Sequence, residues 1–284
     1  MNTPTTLNPL SMDRALSDAD IAKLTDRIEA AQRKATAIPK LTEDFPGMTL
    51  GDGYAVQLEL LRRWLAEGKD GPLDRRGQRQ VGWKAGLTSK AKMDQMGVRV
   101  PTVGFLLADF FRPENSVIQT NDLVHPRVEC EVAFVTKADL SGPDLTREQV
   151  LAATDFVVPA VEIIDSRFAG FKFDLQSVVA DNSSSARYVT GGRARLPADV
   201  DLSTLGVVIE KNGEAVAMGS SAAVAGHPAD AVALVVKVLH EIGQHLPAGS
   251  FVMSGGITEA IPVAPGDFVS ARFQELGSVS MRFA

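Results

Sequence analysis

The chain has 284 residues, with 29 Lys and Arg against 35 Asp and Glu, a net charge of −6, and apolar and charged shares of 45% and 23%. That balance suits a globular protein with a sizeable core. The negative charge and the lack of a long basic run argue against nucleic acid or an anionic membrane surface as the partner and favour a small-molecule ligand. A lone cysteine, Cys130, excludes an internal disulfide, and the four histidines show no zinc-type pairing with it, which fits a reducing, cytoplasmic setting. The N-terminus has no basic start leading into an apolar core, and no apolar run reaches the ~18 residues of a membrane span.

Taken in chain order, residues 1–16 are polar, contain two prolines and are expected to form a loose tail. Ser17 and Asp18 precede Ile21, Leu24, Ile28 and Ala31, whose spacing predicts a helix reaching about Thr36. Tyr54, Leu58, Leu61 and Leu65 predict a second helix over about 50–68. The turn-rich segment KDGPLDRRGQRQ then marks a boundary between a helical region, 17–80, and a core region, 81–284. Short β-type runs follow near 81–87, 103–107, 128–136, 156–164, 186–190, 206–218, 250–254, 267–273 and 278–283. Asn212-Gly213 predicts a hairpin turn, because both central positions need positive φ. Thr146 and Gln149 form a capping-box pattern, and Val232, Val235, Val236 and Leu239 predict a helix over 229–242. This order predicts an α+β fold with a mixed, mostly antiparallel core.

The stretch HPRVECEVAF, residues 125–134, sets Glu129 and Glu131 in a run that reads as a buried strand. Side chains alternate along a strand, so the two glutamates share a face, roughly 7 Å apart at Cα, while Val128, Cys130, Val132 and Phe134 face the other way. A solvent-facing strand edge would explain both. A second acidic interruption, Glu162 in FVVPAVEIID, opens another reading. Three like charges in one partly buried site either take up protons or are held by a cation, and ligation by oxygen alone selects a hard ion, Mg²⁺ or Mn²⁺.

Other segments admit two readings each. Lys84, between Gly82 and Gly86, is either a positioned cation or a lysine whose stem snorkels to water. Asp181, Asn182 and the serines that follow make either a self-capped turn or a set of donors for an anion. The Gly255-Gly256 pair permits close backbone approach to a ligand, and turn chemistry explains it as well. HEIGQH, His240 to His245, has one residue too many for the H-E-x-x-H zinc motif, so surface histidines are expected there. Cys130 is expected to be a small core residue.

Several of these segments also resemble a known family in order and spacing. GWKAGLTSKAKMDQMGV, the E-x-E of HPRVECEVAF, VEIIDSR, FDLQSVVADNSSSARYVTGG and GVVIEKNGE look like the fumarylacetoacetate hydrolase superfamily from about Phe45 to the C-terminus. Within it they are most similar to the hydratase/decarboxylase family of meta-cleavage aromatic degradation, which holds the 4-oxalocrotonate (2-oxo-3-hexenedioate) decarboxylases and the 2-oxopent-4-enoate hydratases. The resemblance implies a mixed β roll or sandwich of that superfamily's C-terminal-domain type, with a helical N-terminal region covering the site. It implies Mg²⁺ or Mn²⁺ on Glu129, Glu131 and Glu162 and no organic cofactor. Catalytic roles fall on Lys84 and Ser183, and substrate contacts on those two with Gly255, Gly256 and Thr258. Many relatives carry an acidic residue just after the proline matching Pro101; Thr102 stands here, which leaves the proton donor unassigned.

The implied activity is decarboxylation of 2-oxohex-3-enedioate, a 2-oxo dicarboxylate, to 2-hydroxypenta-2,4-dienoate and CO₂. The sister hydratase reaction is the alternative, and a non-catalytic partner subunit of a hydratase complex is an alternative of another class. A C–C hydrolase fits less well, since those members place a histidine in the N-terminal part and none precedes His125. A homo-oligomer and a complex with a hydratase are the expected assemblies.

Overall fold

Ser17 opens the first helix by accepting a hydrogen bond from Asp20 N, and α1 (Asp18–Lys34) buries Ile21, Leu24, Ile28 and Ala31, the spacing read from the sequence. The structure is a computed structural model that describes residues 12–70, 78–89, 93 and 101–284. Most of the predicted loose tail, of the predicted 69–80 connection and of the KAKMDQMGV segment lies outside the described residues. The tail is not loose where it is described. Ala15 N and Leu16 N both donate to the buried Asp52 carboxylate at 3.1 Å. A tether 36 residues away leaves no local trace in the sequence.

A short turn of helix, α2 (Leu41–Asp44), leads into α3 (Leu50–Asp70), which packs along α1. The chain then enters the sheets with β1 (Gln80–Gly86), β2 (Thr102–Leu107), β3 (Phe111–Arg112), β4 (Val117–Ile118) and β5 (Pro126–Thr136). Helix α4 (Arg147–Ala153) carries the predicted capping box and runs straight into β6 (Thr154–Asp165). Helix α5 (Leu175–Ala180) is capped by Asp174. At six residues it is too short to show a periodicity and leaves no sign in the sequence.

The remainder is β7 (Ser185–Thr190), the hairpin β8 (Gly206–Lys211) and β9 (Glu214–Ser220), α6 (Pro228–Glu241), β10 (Phe251–Met253), β11 (Ile261–Pro262), β12 (Phe268–Phe273) and β13 (Gly277–Phe283). Asn212 and Gly213 turn the hairpin at φ 56° and 88°. His227 caps α6 by accepting from Ala229 N at 3.0 Å. Burial, then the Arg147 charge, holds its imidazole below the usual range and so keeps Nδ1 an acceptor.

Two sheets form a mixed β roll. One has the order β2-β1-β10-β5-β6-β7-β3, with β11 added to β5; the other has the order β4-β13-β12-β8-β9. Most pairs are antiparallel; β1–β10, β3–β7 and β4–β13 are parallel. Helix α6 is apolar enough to raise the question of a membrane, but Val232, Val235, Val236 and Leu239 are fully buried in the core. Each such side chain contributes about 1.5–3 kcal/mol by leaving water. His240 and His245 are exposed and Cys130 is buried, as expected.

Candidate metal centre

Alternation along β5 sends Val128, Cys130, Val132 and Phe134 into the core at 0% exposure and puts Glu129 and Glu131 on the opposite face. The β5–β6 register sets Glu129 directly across from Glu162. All three carboxylates are buried, and one oxygen from each lies within 4.8 Å of the others. Lys84 reaches the same point from β1, with Nζ 3.0 Å from Glu162 Oε2. Strands β10 and β5 lie between β1 and β6. In a flat sheet three strand spacings would hold these backbones roughly 14 Å apart, so the curl of the sheet makes the contact.

Burial pushes the Glu131 carboxyl well above the ordinary range and Glu162 adds to the rise, while Lys84 opposes it. Glu162 is raised for the same leading reason, again opposed by Lys84. Burial pulls the Lys84 ammonium down, but Glu162, Glu131 and Glu129 outweigh it and hold the group above the usual lysine value. Burial, followed by Glu131 and Glu129, also pushes the Cys130 thiol far up, which leaves it an inert packing group.

The residues fit a hard divalent cation. Glu131 Oε1 and Glu162 Oε1 are buried and accept no hydrogen bond from the described residues. One ammonium against three carboxylates leaves two negative charges, which a divalent ion neutralises. Oxygens bound to one such ion lie about 3–4 Å apart, and the three here already lie within 4.8 Å of one another.

The glycine turn supports this cluster. Gly255 N donates to Glu131 Oε2 at 2.7 Å and fixes that side chain. Gly255 itself sits at φ 106°, with Thr88 packed where a Cβ would go. A Cβ on Gly256 would lie 2.4 Å from Glu129 Oε2. Gly256→Ala is therefore expected to push Glu129 aside and weaken metal binding about 10-fold while the fold persists, as read by calorimetric Mg²⁺ titration. Thr258 faces the backbone, where Oγ1 accepts from Cys130 N at 3.3 Å.

Ser183 stands beside this cluster in a constrained loop. Asn182, Ser183 and Ser184 have φ of 52°, 49° and 59°, three successive left-handed residues without a glycine. The neighbouring strand holds them. Asn182 Oδ1 accepts from Phe105 N at 2.7 Å, its Nδ2 donates to Phe105 O at 3.0 Å, and Ser183 Oγ donates to Val103 O at 2.9 Å. Helix α3 completes the clamp, with Gln57 Nε2 donating to Val103 O and Val179 O, each at 2.8 Å. The point a Cβ on Gly86 would occupy lies 2.6 Å from Thr102 Oγ1, 3.6 Å from Ser183 Cβ and 3.7 Å from Lys84 Nζ. Thr102 Oγ1 is buried and has no hydrogen-bond partner among the described residues.

Sequence reasoning missed the pair that anchors this loop. Arg167 Nε donates to Asp181 Oδ1 at 2.5 Å, Arg167 N donates to Oδ2 at 3.0 Å, and both side chains are buried. Burial raises the Asp181 carboxyl to about 6 against the pull of Arg167. Both residues lie inside quoted segments, but fourteen positions apart nothing local signals their contact. Asp181→Ala is expected to cost about 3–5 kcal/mol in urea unfolding, because it strands a buried guanidinium. Arg167→Met with Asp181→Leu should recover much of that loss.

Fold and site together define a β-roll protein whose centre is built for a hard divalent cation. The model for the fumarylacetoacetate hydrolase C-terminal family matches residues 83–284. The chain is 54% identical, over 96% of its length and 100% of the relative's, to a 4-oxalocrotonate decarboxylase of Pseudomonas sp. (strain CF600). It is 37% identical to a 2-hydroxyhexa-2,4-dienoate hydratase of Comamonas testosteroni, over 90% of this chain and 95% of that one. Among solved structures, 4-oxalocrotonate decarboxylase from Pseudomonas putida G7, complexed with magnesium and adipate, superposes with a TM-score of 0.91 at 51% identity, covering 96% of this chain and 100% of that one. The chain belongs to the fumarylacetoacetate hydrolase family.

Proposed function

We propose that the chain is a carboxy-lyase, a 2-oxo-3-hexenedioate decarboxylase, that converts 2-oxohex-3-enedioate (4-oxalocrotonate) to 2-hydroxypenta-2,4-dienoate and CO₂ in meta-cleavage degradation of aromatic compounds. It works in the cytoplasm with Mg²⁺ or Mn²⁺ and no organic cofactor. The observation that carries this reading is the buried trio Glu129, Glu131 and Glu162 with Lys84 held against it. The 54% identity to a decarboxylase against 37% to a hydratase supports the choice of reaction. A homo-oligomer, and a complex with a 2-oxopent-4-enoate hydratase, are the assemblies in which it would act.

Glu129, Glu131 and Glu162 would hold the ion. When bound, it supplies a Lewis acid for the C1 carboxylate and C2 ketone of a 2-oxo acid. The C5–C6 bond breaks and C6 leaves as CO₂; the electron pair moves through the C3–C4 double bond to the C2 oxygen. The substrate is a vinylogous β-keto acid and provides its own electron sink. Lys84, kept charged by its carboxylate neighbours, offsets the negative charge growing on that oxygen. Ser183, held by its clamp beside Lys84, orients the substrate, and the Gly255-Gly256 turn with Thr258 lines the same side.

The test is to incubate the Mg²⁺-loaded protein separately with 2-oxohex-3-enedioate and with 2-hydroxypenta-2,4-dienoate. CO₂ release from the first is expected. Consumption of the second alone would identify a hydratase, and turnover of neither a partner subunit. A chelator should abolish turnover and added Mg²⁺ or Mn²⁺ restore it; chelator-resistant activity would overturn the metal mechanism.

A further inference from the structure

A second polar cavity lies behind the catalytic sheet. It has a volume of 490 Å³ and is walled by α1, α3, the β2–β3 connection and the start of β7, and no side chain of the metal centre lines it. Arg187 on β7 pairs with Ile163, one residue along from Glu162, so it projects on the opposite face of the sheet from the carboxylates.

The largely buried Arg187 donates from Nη1 to Ala186 O at 2.8 Å and makes no ion pair among the described residues. Burial, then the neighbouring Arg112 charge, lowers its guanidinium to about 10, although Asp122 and Asp165 act the other way. Three acidic groups line the cavity: Asp165 is already engaged by Val124 N and His125 N, Asp122 is exposed at the rim and Asp109 is half-buried, and none of them forms an ion pair with Arg187. Arg112 Nη1 donates to the Asp109 and Phe111 carbonyls, which do not neutralise it.

Polar atoms without partners line the same space. Ser185 is 2% exposed and Gln78 9% exposed, yet Ser185 Oγ, Gln78 Oε1 and Gln32 Oε1 have no hydrogen-bond partner among the described residues. Buried polar groups cost about 1–3 kcal/mol each when unpaired, so water or a bound molecule meets them here. We propose that this cavity is a second binding site, separate from the metal centre, for a small organic carboxylate that pairs with the Arg187 and Arg112 guanidinium groups and accepts a hydrogen bond from the Ser185 hydroxyl. A planar guanidinium fork matches a carboxylate in two parallel hydrogen bonds. Arg167 shares the cavity wall and holds Asp181 at the head of the Ser183 loop.

The test uses glutarate, a dicarboxylate without the 2-oxo group, titrated calorimetrically into the Mg²⁺-loaded protein. Glu131→Gln should keep one glutarate equivalent per chain, and Arg187→Gln should weaken that equivalent at least about 10-fold. Arg112→Gln, at a half-buried position, should weaken it in the same direction and serves if Arg187→Gln does not fold by circular dichroism. Glutarate binding that vanishes with Glu131→Gln, or that is unchanged in both arginine variants, would overturn the proposal. So would arginine variants that dissociate an oligomer in sedimentation while leaving glutarate binding intact, since the cavity would then be a chain–chain contact.

Discussion

Glu131→Gln is expected to weaken Mg²⁺ binding by at least about 100-fold and to abolish turnover, while the protein remains folded. The amide keeps the volume of the side chain and can still accept from Gly255 N, so the packing is retained. The loss falls on charge. The four groups of the site then carry one net negative charge in place of two, and an oxygen that accepts no hydrogen bond becomes part of a neutral amide. In the metal-free protein the substitution also removes repulsion, because burial and Glu162 make the Glu131 carboxylate costly. The melting temperature without metal should therefore hold or rise. The increment from added Mg²⁺, about 2.7 kcal/mol at a hundredfold excess over Kd, should disappear. Calorimetric titration and paired thermal melts measure both effects; an unchanged Mg²⁺ affinity would remove Glu131 from the ligand set.

Lys84→Met separates charge stabilisation from metal binding, because its two effects have opposite signs. Removing the ammonium leaves three carboxylates uncompensated, so Mg²⁺ affinity should be maintained or increased. Turnover should still fall, by about 10²–10³ in kcat, the cost of losing a preorganised cation at a site of developing negative charge. The loss should appear in kcat more than in KM, since the interaction strengthens as charge moves to the C2 oxygen. Steady-state kinetics at saturating Mg²⁺ decide this. A variant with normal kcat would reduce Lys84 to a structural partner of Glu162.

Within the sequence, alternation along one strand was enough to place Glu129 and Glu131 on a common face, and helix spacing was enough to place α1, α3 and α6. These are short-range periodicities, and the backbone geometry that produces them is the same in any fold. Asn212-Gly213 and the Thr146 capping box were legible for the same reason, as each lies within four residues. Glu162, a second acidic interruption of an apolar run, suggested a third ligand, and the resemblance of several ordered segments pointed to the family and favoured that set.

The features legible along the chain are therefore local: which residues face together, where helices begin, and that acidic groups interrupt apolar runs. Folding of the whole chain sets Glu162 across from Glu129, curls the sheet until Lys84 meets Glu162, and holds Asn182 to Ser184 left-handed against β2. It also lets Asp52 tie down residues just ahead of α1, pairs Arg167 with Asp181, and turns Arg187 to a cavity behind the sheet. Each of these depends on strand register, sheet curvature or loop closure across many positions. Those quantities are set by the packing of the whole chain, and no window of neighbouring residues contains them.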